Sequence, residues 1–223
     1  MPLDFFTIEE THAQPILTTP ATTVNFPLSK EDKTLIEKMK ETVLLHQGVG
    51  LAAPQVGIAK KIIVYVISED ATVFRENAQE TVPLTVLINP EYQPAANTSI
   101  YYDWEGCFSV KKTVGTIPRY DKIIYKAQTI AGEWFEKEAS GFTARVLQHE
   151  IDHLNGILII HRFTQQSQQG NPEEMMLARY KKFNSLQQQA FKKMLAEQEN
   201  VLAAYDKEKA AYLAKIKALL ERE

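Results

Sequence analysis

The chain carries one cysteine, Cys107, so no internal disulfide can form, and the composition suits a reducing compartment. Neither charge dominates. With 25 Lys and Arg against 28 Asp and Glu, the net charge of -3 gives no overall attraction to nucleic acid or anionic membrane. No apolar run approaches the ~18 residues that a membrane helix needs. The opening stretch MPLDFFTIEETHAQP lacks the basic and apolar regions of a secretory signal, and its acidic residues argue against a transit peptide. These absences lead to the expectation of a soluble cytoplasmic protein with no membrane partner and no nucleic-acid specificity. At 223 residues there is room for one compact domain of roughly 150 residues and an appendage.

Hydrophobic spacing then orders the elements. Ser29 to Gln47 places Leu35, Met39, Val43 and Leu44 at helical intervals behind a serine cap, which predicts an amphipathic helix. GVGLAAPQVG follows as a turn-rich segment and leads into KKIIVYVI, a β-branched run that reads as a buried strand; TVLINP reads as another, stopped at Pro90. Ser68 to Pro83 is polar and reads as a surface excursion. TIPRYDKIIYKAQT and GEWFEKEASG alternate between glycine turns and suggest antiparallel strands. From Phe142 to Leu154 the apolar residues return to helical spacing, Asn155 and Gly156 stop the helix, and ILIIHRF reads as a short strand.

Gly170, Asn171 and Pro172 break the chain. Beyond them neither glycine nor proline occurs, and Met176, Tyr180, Phe183, Ala190, Met194 and Val201 keep a spacing of three, four or seven. One long amphipathic helix, or two in a hairpin, is expected. Residues 1–169 are therefore read as one compact domain and 170–223 as a C-terminal helical extension. The extension can dock on the core, associate with a second copy, or touch a large partner.

The stretch QHEIDHLNG carries the chemistry. On a helix His149 and His153 lie on one face and can turn both rings toward a common ion, with Glu150 beside them to handle water. The alternative is two unrelated solvent-facing histidines. A hydrolytic metal needs a third protein ligand, and Cys107, between DWEG and FSV, is the candidate; its alternative is a small buried hydrophobe.

Three segments taken in order, GVGLAAPQVG, EGCFS and QHEIDHLNG, resemble the three motifs of peptide deformylases, and the likeness runs from about Ile16 to His161. The resemblance implies an α+β fold: antiparallel strands around a central metal-binding helix, here with the long C-terminal extension. It implies that Cys107, His149 and His153 ligate one divalent metal, Fe2+ foremost, with Zn2+, Ni2+ or Co2+ as substitutes. Glu150 would be the general base and then acid. Gln55 and the backbone N–H of Phe108 would receive the substrate oxygen, and Gly48, Gly50, Leu51, Ala52 and Ala53 would shape the loop along which substrate lies.

The implied substrate is an N-formylmethionyl nascent peptide, and the implied products are formate and a free amino terminus. Gln148 and Asp152 are expected to orient the ligands, and Arg119 or Glu105 to neutralise Asp152 or a histidine nearby. His12, His46 and His161 lie outside the motifs and read as structural or exposed. Many family members have an arginine shortly after the cysteine for the peptide main chain; here the chain reads KKTVGTIPR, so Lys111 or Lys112 would stand in for it.

Lys and Arg outnumber acidic residues only slightly in the tail, which is too little to imply ribosome binding; a transient ribosome contact and a homo-oligomer formed through the C-terminal helix stay open as partners. Competing readings are a related amidohydrolase with altered substrate, a catalytically idle metal-bound scaffold, and a zinc protease. The last would take its third ligand, a His or Glu, from downstream and would not require EGCFS.

Overall fold

The computed structural model describes residues 2–75 and 77–221. A short helix α1 (Gln14–Leu17) precedes α2 (Lys30–Leu45). Ser29 caps α2 through a reciprocal pair: its hydroxyl accepts from the Asp32 amide while the Asp32 carboxylate accepts from the Ser29 amide. The chain then forms β1 (Gly50–Ala52), a 3-10 turn (Ala53–Val56) and β2 (Ile62–Ile67). The predicted surface excursion contains a short helix α3 (Glu69–Phe74), capped by Ser68, whose hydroxyl accepts from the Ala71 amide.

Next come β3 (Val82–Pro94), β4 (Ile100–Cys107), β5 (Val110–Tyr120), β6 (Lys122–Gln128) and β7 (Trp134–Ser140). β3 does not stop at Pro90 as its sequence suggests. The pairing with β6 shifts register between Ile88 and Glu91, and Asn89 has φ 51°, so the proline sits in a bulge where no ladder donor is required.

Helix α4 (Gly141–Leu154) follows, then a 3-10 turn (Ile159–His161), which replaces the strand expected for ILIIHRF. Gly156 ends α4 with φ 71°, and a side chain there would come within 2.6 Å of the Thr18 backbone. β8 (Gln169–Gly170) leads into three helices, α5 (Pro172–Tyr180), α6 (Ser185–Leu202) and α7 (Lys207–Leu220). The expected one or two tail helices are thus three, because Asn184 and Asp206 accept from backbone amides and start new helices.

Two antiparallel sheets result, one in the order β1-β2-β3-β6-β7 and one in the order β4-β5-β8. β2 is buried on both faces, which accounts for its unbroken apolar sequence. Ile63, Tyr65 and Ile67 pack with Phe142, Val146, Leu147 and Ile151 of α4. Ile62 and Val64 pack with Ile36, Met39 and Val43 of α2. The opposite side of α4 faces the second sheet, where Arg145 and Gln148 hydrogen-bond to the backbone of β5. This is the expected α+β arrangement with strands around a central helix.

In the tail, Tyr180, Phe191, Leu195, Leu202, Leu213, Ile216 and Leu220 form a cluster that also takes in Leu45 of α2 and Phe74 of α3. The tail docks on its own chain. Among the described residues no helix is long and apolar enough to cross a membrane.

Candidate active site

Helix α4 presents His149 and His153 one turn apart, and β4 ends at Cys107 opposite them. The Cys107 sulfur lies 3.2 Å from His153 Nε2, and His153 Nε2 lies 3.3 Å from His149 Nε2. The three ligand atoms are all within 4.8 Å of one another. A tetrahedral ion with ordinary metal–ligand lengths would space nitrogens by about 3.3 Å and sulfur from nitrogen by about 3.6 Å. The donor set therefore fits a divalent metal in both chemistry and spacing, and mixed thiolate and imidazole donors suit ferrous iron, zinc, cobalt or nickel.

The outer ring nitrogen of His149 is fixed from behind, since its Nδ1 lies 2.9 Å from a Glu105 oxygen. That contact leaves Nε2 as the inward-facing donor, the usual carboxylate–histidine support of a metal ligand. Burial above all keeps the His153 ring neutral by pushing its pKa well below 6.5. The thiol is steadied by the Ser109 amide, which donates to the Cys107 sulfur at 3.3 Å.

Glu105 belongs to a buried ionic network. Arg119 makes a two-pronged contact to it, Nε to Oε1 and Nη2 to Oε2, each at 2.9 Å. The same guanidinium also donates to Asp152, a second carboxylate on α4. Arg145 donates to Glu105 at 2.8 Å, and Arg162 reaches Asp152 at 3.0 Å. Arg119 thus serves both carboxylates instead of one. Gln148 departs from its expected part: its amide exchanges hydrogen bonds with both backbone groups of Tyr120, which clamps α4 to the end of β5 and leaves the histidines alone.

The GVGLAAPQ loop forms the facing wall. Gln55 is 1 % exposed and its amide is held in one orientation: Oε1 accepts from the Ala52 amide at 2.8 Å, while Nε2 donates toward the Cys107 sulfur at 3.5 Å. The nitrogen end therefore faces the site. β1 is an edge strand, and the alternation of an antiparallel pair points the backbone groups of Gly50 away from β2. Leu51 differs from the expectation in its side chain, which is fully buried in the α2 cluster, so only its backbone belongs to this wall.

Glu150 lies under the loop, and a Cβ built on Gly50 would come within 2.3 Å of Glu150 Oε1. The carboxylate is 4 % exposed and its Oε2 has no hydrogen-bond partner among the described residues. Burial raises its pKa to about 7, with Glu105 adding to the rise while His149 and Arg119 oppose it. A buried, unpartnered acid beside an ion-sized cluster of donors is equipped to take and return a proton.

Phe108 directs its ring toward the amino-terminal residues. It stacks on Phe5 with centroids 4.4 Å apart and sits against Gly48, where a Cβ would meet it at 2.8 Å. His12 and His161 have structural contacts, His12 edge-on to Phe6 and His161 accepting from the Leu158 amide. His46 is buried, as a structural reading requires.

Sequence reasoning missed three contributors. Arg145 and Arg162 complete the ionic network; the one available signal was that Arg145 precedes His149 by four residues on the same helix. The third is the amino-terminal strap, whose Phe6 amide donates to the Gln55 carbonyl at 2.8 Å and whose Ile8 amide donates to the Ser109 carbonyl at 2.9 Å. Both walls are tied by it. The Lys111 ammonium does not stand in for the arginine, because it points to Glu208 on α7; the backbone amides of Lys111 and Lys112 both donate to Glu9.

Comparison with known proteins agrees with this arrangement. The family model described as polypeptide deformylase matches residues 8–169. Peptide deformylase 2 of Rickettsia conorii is 45 % identical over 139 residues, which is 61 % of this chain and 68 % of that protein. Peptide deformylase 1 of Nitrosomonas europaea is 39 % identical over 144 residues, covering 65 % of this chain and 80 % of the relative. The crystal structure of a class I type b peptide deformylase from Acinetobacter baumannii bound to Met-Ala-Ser superposes with a TM-score of 0.64 at 32 % identity, over 73 % of this chain and 99 % of that one. On the family match and on the Nitrosomonas relative, this chain belongs to the peptide deformylase family.

Proposed function

We propose that this chain removes the formyl group from N-formylmethionyl nascent peptides, cleaving a linear amide with water and releasing formate and a free amino terminus. The observation that supports this most is the convergence of Cys107, His149 and His153 on one point beside the buried carboxylate of Glu150 and the inward-facing amide of Gln55. Residues 1–169 are the catalytic part in this reading and 170–223 an appended helical unit.

Cys107, His149 and His153 would hold one divalent ion, with ferrous iron as the proposed resident metal and zinc, nickel or cobalt as substitutes. When bound, such an ion polarises the formyl carbonyl and acidifies water at the site. Glu150 accepts the proton of the attacking water and returns it to the leaving amine. Gln55 Nε2 and the Phe108 N–H donate to the substrate oxygen as its charge grows, and losing one such donor costs ~3 kcal/mol. The outward backbone of Gly50 offers hydrogen bonds to an extended peptide. Arg119 is fully engaged with Glu105 and Asp152, so main-chain recognition falls to this edge rather than to a guanidinium.

Protein purified anaerobically with iron should release formate from formyl-Met-Ala-Ser, and chelation should stop it. A folded, iron-loaded sample that leaves this peptide intact would sink the proposal.

Gly50→Ala tests the contact between loop and base. The backbone of Gly50 is compatible with alanine, but the methyl would displace the Glu150 carboxylate. A displacement near 1 Å can lower turnover about a hundredfold. Steady-state kinetics should find kcat reduced with the melting temperature nearly kept; wild-type kcat would mean that Glu150 lies idle.

A further inference from the structure

The tail, residues 170–223, lies beyond the residues that the family model matches, yet it touches the elements that carry the site. At the first turn of α7 the Lys209 ammonium stands 4.7 Å from the centroid of the Phe108 ring and donates to the His46 carbonyl at 3.2 Å. From α6, Gln198 donates to the same carbonyl at 2.8 Å, in a buried position. The His46 ring is edge-on to Phe108 with centroids 6.0 Å apart, and Phe5 stacks on Phe108 at 4.4 Å. Two residues after His46, Gly48 lies against Phe108 so closely that a Cβ would come within 2.8 Å.

We propose that the α6–α7 hairpin is a working part of the metal cleft: Lys209 and Gln198 are positioning residues that hold the His46–Gly48 turn against the Phe108 ring, and through that ring they set the main chain that follows Cys107. The ring is the anchor. Its own backbone joins Cys107 to Ser109, whose amide donates to the sulfur, so where the ring is seated fixes the main chain that carries the thiol and the Phe108 N–H.

An ammonium is a poor choice for mere packing, because burial penalises its charge; burial lowers the Lys209 pKa to about 8, with Asp206 opposing. An unbranched apolar side chain would fill the same space without that penalty. What the ammonium adds is direction, a cation over a π face and a donor to a carbonyl at once. The His46 ring accepts this neighbour in its neutral form, since burial first and Lys209 next lower its pKa to about 4, with Asp206 opposing.

The kinetic arm of the test rests on the deformylase reading, whereas the spectroscopic arm does not. Full-length Lys209→Met, Lys209→Arg, Gln198→Leu and Lys215→Ala are loaded with cobalt and the thiolate-to-metal absorption is read per bound ion. Lys215 lies on the same helix but is exposed and pairs with Glu173 of α5, so its substitution controls for general loosening of α7. The expected result is a shifted cobalt band for Lys209→Met and a wild-type band for Lys209→Arg and Lys215→Ala. On the formylated peptide, Lys209→Met should lower kcat about tenfold at nearly constant KM, and Lys209→Arg should restore it.

Gln198→Leu gives the same signature in weaker form and stands in if Lys209→Met does not fold. A wild-type band and wild-type kcat in a folded Lys209→Met or Gln198→Leu protein would overturn the inference and leave the hairpin as packing alone. A shifted band in a protein whose wild type is inert on formylated peptide would uphold the clamp while removing the deformylase reading.

Discussion

Replacing Glu150 by alanine is expected to lower turnover of a formylated peptide by about 10³-fold while metal content per chain stays at the wild-type level. The three donors for the ion sit on Cys107, His149 and His153, and none needs the Glu150 carboxylate for its orientation: His149 leans on Glu105 and the sulfur on the Ser109 amide. Removing a buried oxygen without a partner also relieves a desolvation penalty, so the melting temperature should hold or rise. Loss of activity with gain of stability separates a working acid from a structural one. Glu150→Gln keeps the shape and abolishes proton transfer, and it should be as inactive as the alanine variant. Turnover within a few-fold of wild type in either variant would assign the base to another group.

Much of this site is legible in the sequence because its parts are local. His149, Glu150 and His153 share one helical turn, and Gln55 sits on a short loop whose glycine and alanine content already marks a close approach. The 3.6-residue spacing of Phe142, Val146, Leu147 and Ile151 fixes the face that α4 turns to the sheet, and hence the face left for the ligands. What was not legible comes from residues distant in the chain. Nothing local to Arg162 or to the Phe6–Ile8 strap says that one will meet Asp152 and the other will bridge Gln55 and Ser109.

The misread stretches are local ones, where propensity is weakest. Four apolar residues, Ile157 to Ile160, suit a strand as well as a 3-10 turn, and Pro90 reads as a stop unless the bulge around Asn89 is known. The breaks in the tail did carry signals. Asn184 with Gln187 forms a reciprocal cap, as does Asn171 with Glu174, and both pairs stand at the spacing that starts a helix.

The buried network behind the metal ligands leads to the second large effect. Arg119→Met is expected to cost about 3 kcal/mol of stability, since removing one partner from a buried ion pair leaves charge uncompensated. The value stays near the lower end of that range because Arg145 still meets Glu105 and Arg162 still meets Asp152. Arg119→Lys should not rescue, for a point charge cannot reproduce the two parallel contacts to Glu105.

The pH dependence has a definite sign. Burial alone would raise the Glu105 pKa, but the Arg119 charge and hydrogen bonds, with His149, outweigh it and hold the carboxyl well below 4.5. A depressed carboxylate stabilises the fold above its unfolded pKa, and that contribution disappears as pH falls through the folded value. The gap between wild type and Arg119→Met should therefore be widest near neutrality and narrow below pH ~4.5 in denaturant titrations.

Function should suffer by the same route. With Arg119 gone, Glu105 is free to shift toward Arg145, the support behind His149 Nδ1 loosens, and metal affinity should fall about 10- to 100-fold. Chelator competition reads that loss independently of stability. A variant that melts as the wild type does and keeps its metal would show that the network is ornamental to both fold and site, and that His149 is oriented by the helix alone.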